Sequence, residues 1–390
     1  MSVTRSSPPT PPSRQPEDSE RRFKTITKPC EWVEDYHPGG LHPVDLGDVF
    51  KEGQYKVIRK LGEGSFSNVW LARDTKYVSL KILVANVTDP TNEIRILRFL
   101  STVPEAGQHV TLLLDEFDHE GPNGLHKCLV FEPMGPSVNS MVEELPQFKP
   151  RKGLMKVRYP PAMAKSILKQ ALQSVDLLHE NGVSHGDLQP GNLLFCLEDD
   201  IDTKSEDLLR QQKRQRPACV NDPEKEYDRA KVERLDGKRD FWAPRYVYVA
   251  QPLTPFTPHI DDFKIKLSDM GGDRSDADDD HLCQLTFCIG PLPDDLYKHW
   301  TNSSLYFTPE RTVYNLELGG VPKHRPPQRL EDLLQFFKSI EDKFDEAAPD
   351  IPKEEAQTIK ALIRRILQYD PAQRPSAKDI LLDPWFSEDG

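Results

Sequence analysis

The sequence predicts an α+β fold of two lobes, a small antiparallel β lobe with one helix followed by a mainly helical lobe. Short apolar runs separated by turn residues fill residues 55–83, which is typical of strands. Apolar residues recur at three- and four-residue spacing over 163–178 and again over 359–367, which is typical of helices. Strands come first and helices later, so we expect the two kinds of element to be segregated.

The β lobe is predicted element by element from its apolar runs. Strands are expected first on either side of a tight glycine turn, and a short helix with a mixed apolar face then precedes two further strands. In chain order these are strands Tyr55–Leu61, Asn68–Ala72 and Tyr77–Leu83, helix Thr91–Leu100, and strands His109–Leu114 and Lys127–Glu132.

The helical lobe is predicted from two amphipathic segments. The first contains Met163 to Leu178, and Gly182 is placed to end it. The second contains Ile359 to Leu367 and is stopped by Asp370-Pro371. We expect this lobe to be incomplete, for a reason given below.

The domain boundaries follow from composition. Residues 1–30 are rich in Ser and Pro and are expected to be a disordered tail. The β lobe is assigned to 31–133 and the helical lobe to 134–387. A charged segment at about 197–260 has little periodicity and is interpreted as a mostly flexible insert, with a candidate extended piece at Arg245–Gln251.

Composition excludes some classes of partner. The net charge of −12 over 390 residues disfavours direct nucleic-acid binding and permits a basic protein partner, although the acidic residues could equally serve solubility alone. There is no apolar N-terminal segment and no run of about 18 apolar residues, so we expect neither secretion nor a membrane. Six scattered cysteines without a CxxC pair favour a reduced intracellular protein.

A glycine-rich turn is the first candidate for ligand binding. Gly62 and Gly64 allow a backbone to approach phosphates closely, while Ser67 stands where a third glycine is usual. Taken alone, the turn is more often an ordinary hairpin. The candidate nucleotide-contacting residues of the turn are Leu61, Gly62, Gly64, Ser65, Phe66 and Val69.

A lysine and a glutamate extend this candidate site. Lys81 lies on an apolar strand, and Glu93 on the next helix could pair with it and direct the ammonium group to the α- and β-phosphates of a nucleotide. The alternatives are a solvent-facing edge lysine and a surface glutamate. Glu132 and Met134 end the last strand of this lobe, where their backbone could bind an adenine edge.

Three oxygen-bearing side chains complete a pattern that phosphoryl transfer requires. Asp187 is the candidate general base that aligns the attacking hydroxyl. Asn192 and Asp269 are candidate ligands of Mg²⁺, so ATP and Mg²⁺ are the expected cofactors. Helix or turn capping is the alternative for each residue alone, and His185 is expected to form a structural hydrogen bond. The order of the whole series favours catalysis.

At this point the chain resembles a eukaryotic protein kinase and, within that superfamily, a fungal-type member of the SR-protein kinase family. The resemblance covers about residues 31–387 and implies an ATP-dependent serine/threonine kinase. Such an enzyme would act as a monomer on Arg/Ser-rich splicing proteins in the cytoplasm and nucleus. The motifs that carry it are Glu34–Val44, Gly47-Asp48, Tyr55–Gly62, Asp370–Ala377 and Asp383–Phe386.

The chain departs from the family pattern in three places. Gly186 replaces an arginine that commonly binds an activation-loop phosphate, and Gln189 replaces a lysine that faces the γ-phosphate. Losing that lysine removes a charge that could be worth a few kcal/mol in the transition state. After Gly271 the chain runs directly into the acidic stretch Asp276–Asp280, so we expect the activation segment and the following helix to be missing. Arg374 would then lose its usual glutamate partner, and it would either be an unpaired buried charge or turn to solvent.

Three functions are therefore compared. The first is the protein kinase just described. The second is a pseudokinase that binds nucleotide or acts as a scaffold, favoured by Gln189 and the expected deletion. The third is a small-molecule phosphotransferase, because residues 185–192 also resemble the catalytic loop of aminoglycoside and choline kinases.

Overall fold

The computed structural model describes ten stretches of the chain, which fall into two compact units. The first unit is Met1–Val157 with Leu188–Met270, and the second is Arg158–Asp187 with Gly271–Gly390. The described stretches are 21–86, 91–148, 157–198, 200–212, 228–258, 262–271, 282–283, 285–286, 289–311 and 351–387.

The first unit is built on a six-stranded antiparallel sheet in the order β1-β2-β3-β4-β6-β5. The strands predicted around the glycine turn and at Tyr77 are confirmed, as is the helix at Thr91, because their apolar patterns are local and strong. The strands are β1 Val49–Phe50, β2 Tyr55–Gly64, β3 Ser67–Arg73, β4 Tyr77–Leu83, β5 Leu113–Gly121 and β6 Gly124–Phe131, and the helix is α1 Thr91–Leu100.

The strand predicted at His109–Leu114 is wrong. A 3-10 turn at Ala106–Gln108 occupies the preceding positions, and β5 begins only at Leu113. The backbone at His109 and Thr111 instead bonds to Leu267, far along the chain. That long-range pairing leaves no local signal in the sequence.

The rest of the first unit follows α2 Val138–Glu144. Two short strands, β7 Leu193–Phe195 and β10 Ile265–Leu267, form an antiparallel pair. Between them lie α4 Glu206–Leu209 and the antiparallel pair β8 Arg229–Lys231 and β9 Tyr246–Tyr248.

The described part of the insert is packed rather than loose, which differs from the expectation of a mostly flexible segment. Tyr246 and Tyr248 belong to the main core of the sheet, together with Trp70, Leu80 and other apolar side chains of β2, β3, β4 and β6. Burying such side chains contributes about 1.5–3 kcal/mol each. The extended piece expected at 245–251 is confirmed as β9, and residues 213–227 lie outside the described residues.

The end of the expected N-terminal tail is also packed. Arg22 and Phe23 are 5% and 3% exposed, and Arg22 Nε donates to Glu34 Oε2 at 2.9 Å. Phe23 forms an isolated bridge with Arg234 of the insert. Residues 1–20 of the tail lie outside the described residues.

The second unit is helical, as predicted. Its long helix α3 Pro161–Glu180 is followed by Gly182, whose φ of 70° is the left-handed conformation that suits a helix end. The other helices are α5 Asp294–His299, α6 Lys353–Ile366, α7 Ala377–Leu381 and α8 Pro384–Ser387. A core cluster of Leu172, Leu362, Ile380, Trp385 and Phe386 joins α3, α6, α7 and α8.

The expected deletion falls largely outside the described residues. Residues 272–281 and 312–350 lie outside the described residues, so the missing activation segment and the incomplete helical lobe stay predictions. Arg374 is exposed, and its Nε donates to Gln368 O at 2.6 Å, in agreement with an arginine turned to solvent. No helix in the described stretches has the length and apolar content that crossing a bilayer requires.

Candidate active site

A cavity of about 530 Å³ lies in the first unit, beside the glycine-rich turn. This volume is within the range of about 300–1,000 Å³ that is usual for small-molecule sites. Its lining includes nine of the residues predicted from the sequence: Leu61, Gly62, Gly64, Val69, Lys81, Glu132, Met134, Asn192 and Asp269.

Lys81 is held between two carboxylates at the wall of this cavity. It lies on the central strand β4, paired with Val69 on one side and Leu129 on the other. Its Nζ is 3.2 Å from Glu93 Oε1 on α1 and 2.9 Å from Asp269 Oδ1. Burial acts to lower the pKa of Lys81, but the charges of Glu93 and Asp269 outweigh it and the net pKa is raised. The ammonium group therefore stays charged at neutral pH.

The β7–β10 pair brings Asn192 and Asp269 to the same cavity. Leu193 is the register partner of Leu267, so the residue before β7 lies next to the residues after β10. Ser268 fixes this junction, since its backbone N–H and its hydroxyl both donate to Asn192 O, at 2.8 and 2.9 Å. Asp269 has a φ of 65°, the left-handed region that is costly for a residue with a side chain.

The glycine-rich turn presents backbone to the cavity, with one correction to the predicted set. Gly62 pairs with Val69 and Gly64 with Ser67 in the β2–β3 register. A Cβ added at Gly62 would meet nothing within 4 Å, so the space beside it is open. Ser65 and Phe66 are not among the lining residues, because they form the tip of the hairpin, where Phe66 is 59% exposed.

The segment after β6 forms a further side of the cavity. Glu132 and Met134 line it as predicted, and Lys266 Nζ on β10 is 2.6 Å from Glu132 Oε1. The backbone then bonds to β7, since Gly135 N–H donates to Phe195 O at 2.8 Å. The neighbouring lining residues Gly135, Pro136, Ser137 and Ser140 were missed by the sequence reasoning, although they follow directly on the predicted ones.

Two lining residues come from the insert, where no sequence signal pointed to a site. Ala250 and Pro252 lie just after β9 and reach the same cavity as Leu61 and Gly62. Neither residue type carries a chemical signature of ligand binding. Only the folded path of the insert reveals them.

Asp187 belongs to the second unit, where it ends the segment that follows α3. Its backbone N–H donates to His185 Nδ1 at 3.2 Å, and His185 is 6% exposed. This is the structural hydrogen bond expected of His185. Asp187 is not a lining residue of the cavity, and its catalytic role stays a prediction.

The donor set fits a hard divalent cation. Asn192 offers an amide oxygen and Asp269 a carboxylate, the oxygen ligands that Mg²⁺ prefers. In the described part of the chain no group of three or more His, Cys, Asp or Glu could hold a metal by itself. Mg²⁺ in nucleotide sites keeps several waters and substrate phosphate oxygens as ligands.

Comparison with known proteins agrees with this geometry. The family model of the protein kinase domain matches residues 55–247. Over this match, which is just under half of its length, the chain is similar to protein kinase domains. A crystal structure of a kinase domain superposes with a TM-score of 0.51 at 18% identity, covering 88% of this chain and 98% of that one, which confirms the fold.

The curated relatives agree with the predicted resemblance to SR-protein kinases. Protein kinase dsk1 of Schizosaccharomyces pombe is 38% identical over 180 residues, which are 44% of this chain and 31% of that protein. The serine/threonine-protein kinase SRPK of Physarum polycephalum is 27% identical over 416 residues, which cover 92% of this chain and 91% of that protein. SRSF protein kinase 3 of Homo sapiens is 36% identical over 178 residues, which cover 42% of this chain and 29% of that protein. The matches thus span about a third of the dsk1 protein and of the human protein, and most of the Physarum protein.

Proposed function

We propose that this chain is an ATP-dependent serine/threonine kinase that phosphorylates basic, Arg/Ser-rich proteins. One observation carries the proposal. The Lys81 ammonium group lies between Glu93 and Asp269 at the wall of a cavity of nucleotide size, which Asn192 and the two glycines also line. Positioning and charge stabilisation are what phosphoryl transfer asks of a protein.

The nucleotide would be held by the residues of the first unit. Lys81 would bind the α- and β-phosphates, with Glu93 keeping its side chain in place. Gly62 and Gly64 would let the backbone approach the phosphates. The adenine would bind between the apolar side chains of Leu61 and Val69 and the backbone of Glu132 and Met134.

Metal binding and hydroxyl activation are assigned to the remaining polar residues. Asn192 and Asp269 would hold Mg²⁺, which supplies charge neutralisation at the β- and γ-phosphates. Asp269 would exchange its contact with Lys81 for one with the cation. Asp187 would accept a hydrogen bond from the substrate hydroxyl and take its proton. Gln189 carries no charge, so we expect slower transfer than a lysine there would give.

The substrate class is supported by charge and by the names of relatives. The net charge of −12 favours a basic partner. The human relative is named as a kinase of SRSF proteins. We further propose a monomer that works in cytoplasm and nucleus without contacting nucleic acid or membrane. Sedimentation of the full chain and imaging of a tagged chain test these points.

The test is transfer of labelled phosphate from Mg-ATP to an Arg-Ser repeat peptide. The wild-type chain should phosphorylate it at least tenfold faster than an Ala-Ser peptide of equal length. Asp187→Ala should lower the rate by about 10²–10⁴-fold, the usual contribution of a general base. The control Asp295→Ala, at an exposed aspartate of α5, should leave the rate unchanged. If wild type transfers no faster than Asp187→Ala, the kinase proposal fails and a pseudokinase that binds nucleotide takes its place.

A further inference from the structure

The insert covers an edge of the sheet that the rest of the sheet leaves open. On the side of β2 away from β3, β1 pairs only with Tyr55 and Lys56, and the residues just before β1 bond to Val57. Beyond Val57, towards the glycine turn, the backbone groups on this side of β2 have no partner among the described strands. Buried edge groups of this kind need hydrogen-bond partners.

Two glutamines of the insert supply those partners. Gln211 N–H donates to Ile58 O at 2.8 Å, and its side-chain oxygen accepts from Lys60 N–H at 3.0 Å. Further along the edge, Gln251 N–H donates to Lys60 O at 2.8 Å. These bonds continue to the residue before Leu61, the first lining residue of the cavity.

The insert is anchored on both faces of the sheet. Tyr248 is 1% exposed in the main core, and Lys60 Nζ donates to its carbonyl oxygen at 3.0 Å. Leu253 is fully buried in a second cluster with Ile58 and Leu71. A segment fixed at both ends has little freedom to move away from the cavity between them.

The same segment reaches the backbone after β6. Thr257 is 4% exposed, and its hydroxyl donates to Leu253 O at 2.9 Å. A Cβ added to Gly135 would lie 2.4 Å from Thr257 Oγ1, so the two segments are in contact at this point. The segment 246–257, which we call the insert wall, thus runs from β2 to the segment that carries Glu132 and Met134.

We propose that Ala250 and Pro252 are specificity-determining residues of the nucleotide site. They line the cavity at the middle of the insert wall, between the glycine strand and the segment after β6. Ala250 carries only a methyl group, so its side chain occupies little of the cavity that it lines. Pro252 has no backbone N–H and a fixed φ, so it contributes a rigid apolar surface without a donor. Together they set how large a group the pocket accepts on this side.

The first test asks whether Ala250 faces bound nucleotide. Ala250→Cys is nearly isosteric, and its labelling by a maleimide is followed by mass spectrometry with and without saturating Mg-ATP. We expect Mg-ATP to slow labelling at position 250 at least fivefold. The control Leu235→Cys, at an insert position that is 58% exposed and outside the lining, should be unaffected. Equal labelling at position 250 in both conditions would overturn the inference.

The second test fills the space. Ala250→Phe should weaken Mg-ATP binding in a calorimetric titration at least tenfold, whereas Leu235→Phe should leave it within twofold. Ala250→Gly should instead improve binding of an ATP analogue with a bulky sugar substituent relative to ATP. If Ala250→Phe fails to fold, the cysteine experiment decides.

This inference rests on the proposed function, and the two can fail separately. If the wild-type chain binds Mg-ATP and Ala250→Phe binds it equally well, the insert wall is not part of the site, while the kinase proposal stands. If the wild-type chain does not bind Mg-ATP, both are overturned.

Discussion

Two lysines of the same sheet have similar partners and different surroundings. Lys60 on β2 lies 2.6 Å from Glu63 Oε2 and also contacts Glu31, and its side chain is fully buried. Lys81 on β4 lies between Glu93 and Asp269 with its side chain 15% exposed. Each lysine thus has two carboxylate partners.

The two ion clusters differ in whether a ligand could reach them. Lys60 is enclosed, and its remaining partner is the carbonyl oxygen of Tyr248 in the insert. Lys81 faces a cavity, and one of its partners, Asp269, lines that cavity and is 48% exposed. Lys60 joins three parts of the chain, whereas Lys81 lies at the wall of a cavity where we propose that it binds phosphate.

The largest expected effect is the loss of stability when the enclosed lysine is removed. Lys60→Met leaves the buried Glu31 carboxylate without its cation, and breaking a buried pair in this way costs about 3–5 kcal/mol. Urea denaturation measures the free energy of unfolding. The control Lys56→Met, at an exposed position of the same strand, should change it by less than about 0.5 kcal/mol. A loss below about 1 kcal/mol in Lys60→Met would show that the cluster does not stabilise the sheet.

The second effect falls on activity. Lys81→Met should lower the rate of phosphate transfer by about 10²–10³-fold, the usual cost of removing one group that stabilises transition-state charge. Its free energy of unfolding should fall less than in Lys60→Met, because Asp269 is 48% exposed and water can solvate it. Transfer assays and urea denaturation of both variants test whether Lys81→Met loses more activity and less stability than Lys60→Met. Unchanged turnover in Lys81→Met would refute the role of this lysine.

A third prediction concerns pH. Burial first, then His126 and His119, lowers the pKa of His42 to about 3, and burial also lowers the pKa of the other two histidines. The unfolded chain takes up protons below about pH 6.5 while the folded chain does not, so stability falls as the pH drops below that value. The slope reaches up to about 1.4 kcal/mol per pH unit for each histidine. Urea denaturation between pH 7.5 and 5 should show this loss, and His42→Gln should reduce it. The same slope in both proteins would contradict the assignment.

The smallest expected effect is the loss of stability when the hydrogen bonds between the insert and β2 are removed. Gln211→Ala leaves Lys60 N–H and Val249 O without their partner, which costs about 1–3 kcal/mol for buried groups. The neighbouring Gln212 is exposed, and its amide donates to exposed carbonyl oxygens of the chain just before it, so Gln212→Ala is the matched control and should cost less than Gln211→Ala. Equal stabilities of the two variants would mean that the insert is not bound to the edge of β2.

The two lysines also show how far the sequence could lead. Lys81, Asn192 and Asp269 were found because each belongs to a short motif whose spacing reports its chemistry. Two of the three partners of Lys60, Glu31 and the carbonyl of Tyr248, come from about 30 residues before it and almost 190 residues after it, and no local pattern joins them. The same holds for Ala250, whose place in the cavity follows from bonds between the insert and a strand edge. Strand and helix positions were predictable from periodicity, whereas long-range edge pairing was not.

The most direct test of the account is the site at which an adenosine analogue with a lysine-reactive 5′-sulfonyl fluoride modifies the full chain. We predict that the analogue labels Lys81, that Mg-ATP prevents this labelling, and that Lys60 is not modified. Labelling of a different lysine, or labelling of Lys81 that Mg-ATP does not prevent, would contradict the proposal that the cavity beside the glycine-rich turn binds the nucleotide.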